Sequence, residues 1–438
     1  MSSLSEAGRS GGLPDAALAF AIRVASAGLL FGLQVLLARL MPIDGYGGFV
    51  TLWTWLLAVG SFGALGLAQA SVRFVPRYLA RGRRQAVGAF FRVGFIAVAL
   101  GSVGLSIVGL SASTLLPGDL GLIVFLVAMG LPFLAMEYYL EGIARGFGWY
   151  RLTTIPIYII RPILIGSTAL LLSALGVELT LPVVGAVVVG SMGVITLGLA
   201  LVLRRRLAPY RPNAAPTRAE ASLWIRASLP LSIVSGLDDL VIYADVLLIS
   251  LMLPSEAVGV YFAAARVLAL ANFVYFAMYL VAGRRFALDL AARDRSRLQS
   301  SLLETSRLMF WLTALAVGAT LLAGPLLLAA FGQAFEDGYG VMIVLGAGMI
   351  ARALAGQADE MLIVSGRQKQ AAWILAATVG VNLSISALLI PWLGIMGAAV
   401  GTAIAMATRS MLVAFTVYRL DGLRIVSVAI PSFGAAKS

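Results

Sequence analysis

The chain has 438 residues, 61% of them hydrophobic and only 12% charged, with a net charge of +12. Soluble domains carry about a quarter charged residues, so this composition excludes an ordinary soluble globule and points to a membrane protein. Cysteine and histidine are both absent, which excludes disulfides, thiolate nucleophiles, cysteine metal sites and the usual general base.

In chain order, "MSSLSEAGRSGGLPD" is polar and Gly/Ser-rich and has no basic n-region. It reads as a loose cytoplasmic tail over 1–15 rather than a signal peptide. An apolar run needs roughly 20 residues to cross a hydrocarbon core of about 30 Å. Twelve such runs follow, at 16–41, 47–71, 87–113, 120–141, 152–175, 180–203, 227–252, 257–282, 303–331, 338–364, 370–391 and 396–418. Continuous runs of this length exclude a barrel, whose strands alternate with period two.

The connections fix an orientation. The loops that follow odd-numbered runs ("PIDGY", "PGDLG", "LGVELT", "LPSEA", "FGQAFEDG", "PWLG") contain no Lys or Arg but do contain Asp44, Asp119, Glu178, Glu256, Glu336 and Asp337. The loops that follow even-numbered runs hold Arg73 to Arg84, Arg145 with Arg151, Arg204 to Arg226, Arg284 to Arg297, and Arg367 with Lys369. The positive-inside rule puts these basic loops and both termini in the cytoplasm. The five arginines of "ASVRFVPRYLARGRRQ" are then a topology signal that also meets anionic headgroups. No nucleic-acid recognition motif accompanies them.

The chain repeats itself. A shift of 212 positions lays Pro42 on Pro254, Gly47 on Gly259, Phe49 on Tyr261, Arg73 on Arg285, Phe74 on Phe286 and Arg81 on Arg293. The expected fold is an all-α polytopic membrane protein of 12 transmembrane helices. It has a six-helix lobe at 16–203, a basic cytoplasmic linker at 204–226, a second six-helix lobe at 227–418 and a cytoplasmic tail at 419–438. An even number of spans per copy makes the repeats parallel, and such repeats place a substrate path near the midplane between halves.

"LLARLMPIDGYGGFVTLWTWLLAVGSFGALGLAQASVRFVPRY" resembles the first two helices of the polysaccharide biosynthesis and oligosaccharide flippases. These belong to the multidrug/oligosaccharidyl-lipid/polysaccharide (MOP) exporter superfamily. "LMLPSEAVGVYFAAARVLALANF" repeats the theme, and "NLSISALLIPWLGIMGAAVGTAIA" looks like the family's last two helices. Where many members carry a proline at the end of the eighth span, this chain has "VAGRRF". The resemblance implies a MATE-like pair of lobes around a cavity that opens alternately to either side of a bacterial inner membrane. It also implies a cargo, a polyprenyl-pyrophosphate-linked oligosaccharide, and pathway partners such as a glycan polymerase or glycosyltransferases. A drug/cation antiporter of the same superfamily and a twelve-span facilitator are the competing readings. The outer loops are too short for a catalytic domain, so an enzyme is not expected.

Ionisable residues inside spans are costly and functional by default. Arg161, Asp238, Asp239, Arg266 and Arg352 fall near the middles of their runs, with Arg23 and Arg409 nearer the cytoplasm. Each must pair with another charge or line water. Asp238 or Asp239 with Arg266 is an evident pair, whereas a free arginine fork suits pyrophosphate. Gln34 shares a helix face with Arg23. Related flippases use cationic residues of the first and eighth helices, where Arg23 and Arg266 stand here. Asp238, Asp239 and Asp245 are the candidates for H⁺ or Na⁺ coupling; no metal site or other cofactor is expected. Arg73 and Arg285 would meet a phosphate at the inner mouth. Glu141 and Arg145 have the spacing of a helix-end salt bridge. Gly28/Gly32 and Gly397/Gly401, with the looser set Gly60, Gly63 and Gly66, suggest close helix packing. Tyr46, Trp53 and Trp55 suggest an interfacial belt.

Overall fold

The computed structural model describes residues 13–212, 216–292 and 294–425; the side chains of 13–24 and of several residues in the two helices beginning at Arg218 and Asn272 fall outside that description. Among the described residues there are helices and turns and no strand. That is the outcome lipid demands of segments this apolar, because a helix satisfies its own backbone polar groups and an open sheet edge does not.

The helices are α1 (Leu13–Leu40), α2 (Ile43–Gly63), α3 (Leu67–Ala80), α4 (Arg84–Ser113), α5 (Gly118–Gly146), α6 (Tyr150–Ile155), α7 (Arg161–Ala174) and α8 (Leu181–Arg206). They continue with α9 (Arg218–Met252), α10 (Ser255–Leu268), α11 (Asn272–Ala291), α12 (Arg295–Phe331), α13 (Tyr339–Ala353), α14 (Ala358–Val364), α15 (Gln368–Leu393) and α16 (Ile395–Asp421). Each of the twelve apolar runs falls on helix. Nine helices among the described residues are long and apolar enough to cross a membrane, and ten if the bent pair α2/α3 is one span.

The helix ends follow local chemistry. Pro42, Pro117 and Pro254 stand at the N-caps of α2, α5 and α10, where proline's missing N–H is no loss. At the basic ends, Gly82, Gly148 and Gly366 take positive φ. The residue after each donates back five positions, Arg83 to Tyr78, Trp149 to Ala144 and Arg367 to Leu362, the glycine-capped ending that absorbs orphan carbonyls. Asp294 caps α12 with its carboxylate, accepting the Arg297 N–H at 3.0 Å. That hydrogen bond holds its carboxyl below the usual range.

The chain divides into two compact units, residues 1–242 and 243–438, and the division falls inside α9. In the first unit α5 is the central helix, flanked by α2, α3, α4 and α8, while α1 packs on α7. Its best-packed region joins Leu67, Phe74, Tyr78, Phe90, Tyr139 and Leu203 to Trp224 from the start of α9. The Trp224 indole donates to the Tyr78 hydroxyl at 2.8 Å and stands edge-on to Phe90 at 5.5 Å. The segment after α8 is held as well: Gly88 lets the Tyr210 carbonyl approach α4 where a Cβ would overlap it.

In the second unit α16 packs along α13 and α15, and α12 bridges α11 and α13. Gly397 and Gly401 of α16 press against the backbone of Leu389 and against Ser386 on α15, so this pair packs closely as its spacing suggests. Gly28 and Gly32 do not, since a Cβ at either would meet nothing within 4 Å among the described residues. Beyond α16, Gln299 grips the Arg424 backbone twice, donating to its carbonyl at 2.7 Å and accepting its N–H at 2.8 Å. Leu423 is buried there, and Arg367 pairs with Asp421 at 2.5 Å.

Several apolar runs contain breaks. Between α2 and α3 the chain bends by 46°, with Leu65 at φ 52° and Gly66 at φ 68°. Gly66 is thus a turn residue rather than part of a flat packing face, and a Cβ there would strike the Ser228 carbonyl. The matching region of the second unit eases through a 3-10 turn at Ala269–Ala271. The "VAGRRF" stretch then lies in uninterrupted helix within α11. A π-helical segment, Pro156–Ile160, leads into Arg161. Gly356, at φ 57°, turns the chain between α13 and α14.

Candidate functional site

The sequence-selected residues separate into two groups, one in each unit. In the first unit, Gln34 is 5% exposed and accepts a hydrogen bond from the Tyr46 hydroxyl at 3.1 Å. Tyr46 is wholly buried, so it is a core tie between α1 and α2 and not part of an interfacial belt. Arg23 lies on α1, but its side chain is outside the described residues. Asp238 is exposed, and Asp239 is turned toward Ser61 of α2.

Arg161 is buried and ion-paired with Glu137 of α5, itself wholly buried. The second carboxylate oxygen of Glu137 and the Nε of Arg161 have no hydrogen-bond partner. Such a pair holds because neither charge can leave without stranding the other. Its geometry fastens α5 to α7. Glu137 is the residue the sequence reading missed; the signal was its i, i+4 relation to Glu141, which pairs with Arg145 at 3.5 Å as its spacing implies.

In the second unit a polar chain crosses four helices. The Tyr261 hydroxyl donates to Asp245 at 2.7 Å, and the Val246 N–H donates to the same carboxylate at 2.8 Å. The Tyr261 hydroxyl also lies beside Thr402. Asn382 donates to the Thr402 hydroxyl at 3.4 Å, and Ser386 donates to Asn382 at 3.0 Å. Asp245 of α9 is thereby joined to α10, α16 and α15. Several oxygens converge on one carboxylate, an arrangement able to accept a proton or a small cation.

The cationic groups of this unit sit on aromatic faces. Arg266 is exposed and lies 4.9 Å from the Phe262 ring centroid. Arg352 lies 4.6 Å from that of Tyr275. The sequence pairing of Arg266 with Asp238 or Asp239 joins residues of different units: Arg266 belongs to the second, the aspartates to the first. Arg409 pairs with Asp359 at 3.2 Å. Toward the basic end, Arg285 donates to Ser301 at 3.1 Å and pairs with Glu304 at 2.6 Å. Its repeat counterpart Arg73 is exposed and lies 5.9 Å from the Phe74 ring centroid. Among the described residues, no group of three or more acidic side chains could hold a metal ion.

A profile of the polysaccharide biosynthesis protein family matches residues 14–282. Direct sequence comparison with curated proteins returns no match. Among solved structures, the fold is similar to an inward-facing MATE multidrug-resistance transporter of the MOP superfamily. That likeness has a TM-score of 0.73 and 15% identity, over 90% of this chain and 94% of the other. It is also similar to the lipid II flippase MurJ in an inward closed conformation, at TM-score 0.70 and 12% identity over 91% and 87%. A MOP superfamily transporter from Pyrococcus furiosus, described as having a binding pocket of reversed polarity, matches at TM-score 0.59 and 17% identity over 91% and 92%. At these identities the likeness concerns the fold.

Proposed function

We propose, from the premise that this chain belongs to the polysaccharide biosynthesis protein family, that it is a flippase for a polyprenyl-pyrophosphate-linked oligosaccharide. The cargo would pass from the inner to the outer leaflet of a bacterial cytoplasmic membrane by alternating access. In this reading twelve spans cross the membrane and both termini are cytoplasmic, as the distribution of Lys and Arg requires. The observation that carries it is the placing of Arg266 and Arg352 over aromatic rings within membrane helices. A guanidinium offers a fork for phosphate oxygens, and an aromatic face beside it suits a sugar ring. A flippase must provide both, because the prenyl tail stays in lipid while pyrophosphate and glycan cross it.

Coupling to H⁺ or Na⁺ is assigned here to Asp245, held by Tyr261 at the end of its polar chain, with Asp238 and Asp239 as the more open alternatives. Arg73, exposed on α3, would meet the pyrophosphate at the inner mouth. Arg285 could do so only by leaving Glu304. Membrane lipids and the polymerase or glycosyltransferases of the same pathway are the partners this role entails. The MATE likeness raises an antiporter of cationic drugs as the second reading. Such a cargo calls for acidic groups where this chain presents arginines.

The test is reconstitution in vesicles with a fluorescent lipid-linked oligosaccharide. The double variant R23A/R266A should lose translocation while retaining its fold and thermal midpoint. Unimpaired translocation by that variant would overturn the site assignment. Proton-driven efflux of a cationic dye, without any glycolipid translocation, would establish the antiporter instead.

A further inference from the structure

Four side chains from four helices of the second unit share one polar site. Arg352, in the last turn of α13, stacks on Tyr275 of α11 at 4.6 Å. The Tyr275 hydroxyl donates to the Met349 carbonyl at 3.4 Å, which fixes the ring beneath the guanidinium. Arg409 of α16 reaches Asp359 of α14 at 3.2 Å. Arg352, Asp359 and Arg409 all lie within electrostatic reach of the Tyr275 phenol. The turn at Gly356 makes this possible, because it ends α13 just after Arg352 and starts α14 just before Asp359.

The site is unbalanced. Two arginines face one aspartate, and the other acid of α14, Glu360, is buried and directed at Gly283. The Arg409 Nε is buried with no hydrogen-bond partner, so part of the fork remains unused. Asp359 and Arg409 retain 30% and 27% of their side-chain exposure, so the pair is open to a ligand from outside the helix packing. A carboxylate supplies two oxygens and one charge. A phosphate or pyrophosphate supplies more of both, and arginine forks bind them in pairs of parallel hydrogen bonds.

We propose that Tyr275, Arg352 and Arg409 form an anion-binding site whose resting occupant is the Asp359 carboxylate and whose ligand is a pyrophosphate group. The ligand takes the place of Asp359 against Arg409 and draws in Arg352 from its ring. Asp359 is thus a built-in competitor that sets affinity low enough for release. Only the source of the pyrophosphate, a lipid headgroup, rests on the flippase reading; the anion chemistry stands without it.

The experiment is calorimetric titration of the full chain in nanodiscs with inorganic pyrophosphate and, separately, with farnesyl diphosphate. Charge-assisted hydrogen bonds are worth roughly 1.5–3 kcal/mol, which corresponds to about 10–150-fold in affinity. Asp359→Asn should therefore bind pyrophosphate at least about tenfold more tightly, and Arg409→Gln at least about tenfold more weakly. Arg352→Gln leaves the Asp359–Arg409 pair intact, so it tests the site without disturbing that ion pair; it should weaken binding by a similar factor. Unchanged affinity in Arg352→Gln, or weaker binding in folded Asp359→Asn, would overturn the proposal. Tighter binding of farnesyl diphosphate than of inorganic pyrophosphate supports the lipid source, and equal affinity overturns that part alone. None of these titrations depends on transport, so failure of the translocation assay and failure of this site are separable.

Discussion

Each unit ties its fourth-run helix to a later helix with one carboxylate and one arginine, and treats the pair differently. In the first unit Glu137 and Arg161 are sealed, with side chains 1% and 5% exposed. In the second, Asp359 and Arg409 keep 30% and 27%. A sealed pair cannot exchange partners, because its desolvation cost has no relief except the other member. An open pair can, since solvent or a ligand can stand in for either side. Halves derived from one repeat have thus taken opposite uses of the same chemistry, one a rivet and the other a latch.

The strongest test of that contrast is Glu137→Ala, which strands a buried guanidinium. It should cost about 3–5 kcal/mol, read as a large drop in the thermal midpoint of the detergent-solubilised protein. The double replacement E137L/R161M should recover most of the loss, because removing both charges removes the stranding. Asp359→Ala in the second unit should cost no more than about 1 kcal/mol, as open pairs do. Equal costs in the two units would break the comparison.

Next in size is Gly66→Ala at the sharp bend between α2 and α3. The left-handed backbone alone costs an alanine about 1–2 kcal/mol, and contact with the Ser228 carbonyl adds to it. Ala271→Gly, at the gentler 3-10 turn of the second unit, should cost about 1 kcal/mol or less.

The tyrosine ties give a smaller contrast. Tyr261→Phe removes a hydrogen bond to the Asp245 carboxylate and should cost about 1.5–3 kcal/mol, whereas Tyr46→Phe removes a neutral bond to Gln34 worth about 0.5–1.5 kcal/mol. Denaturation monitored by tryptophan fluorescence would rank them, and the reverse order would show that Asp245 is not ionised. The smallest effect is at Asp294. Its carboxyl is held below the ordinary range, so its contribution is present at neutral pH and is lost as pH falls through that lowered value. Hydrogen exchange at the start of α12 should quicken in acid, while the start of α4, where Arg83 provides no side-chain cap, should show no such step.

The sequence made the helical segments legible because an apolar run of about 20 residues in lipid has little alternative to helix. Proline caps and glycine endings were legible for the same local reason. What stayed hidden depends on which helix is whose neighbour. Glu137 sits in an otherwise apolar run, and only the approach of α7 shows that Arg161 completes it. Tyr46 reads as an interfacial aromatic until Gln34 is found across from it. Tyr275, Asp359 and Arg409 lie in runs or run-ends that hydropathy treats as uniform; the Gly356 turn, which no hydropathy window detects, gathers them. For Arg266 and Arg352 the sequence supplied depth, and the structure supplied the aromatic rings beneath them.

The π-helical segment at Pro156–Ile160 has a meaning in descent as well as in packing. Such a segment accommodates one residue more than an α-helix of the same height, so it is the trace of a single-codon insertion that the fold kept. Excising Ile159 would restore an even helix and swing everything beyond it by about 100°, carrying Arg161 off Glu137. An ancestor without that extra residue would have had no use for a buried acid at position 137. The insertion and the acid should therefore be gained or lost together across the lineage.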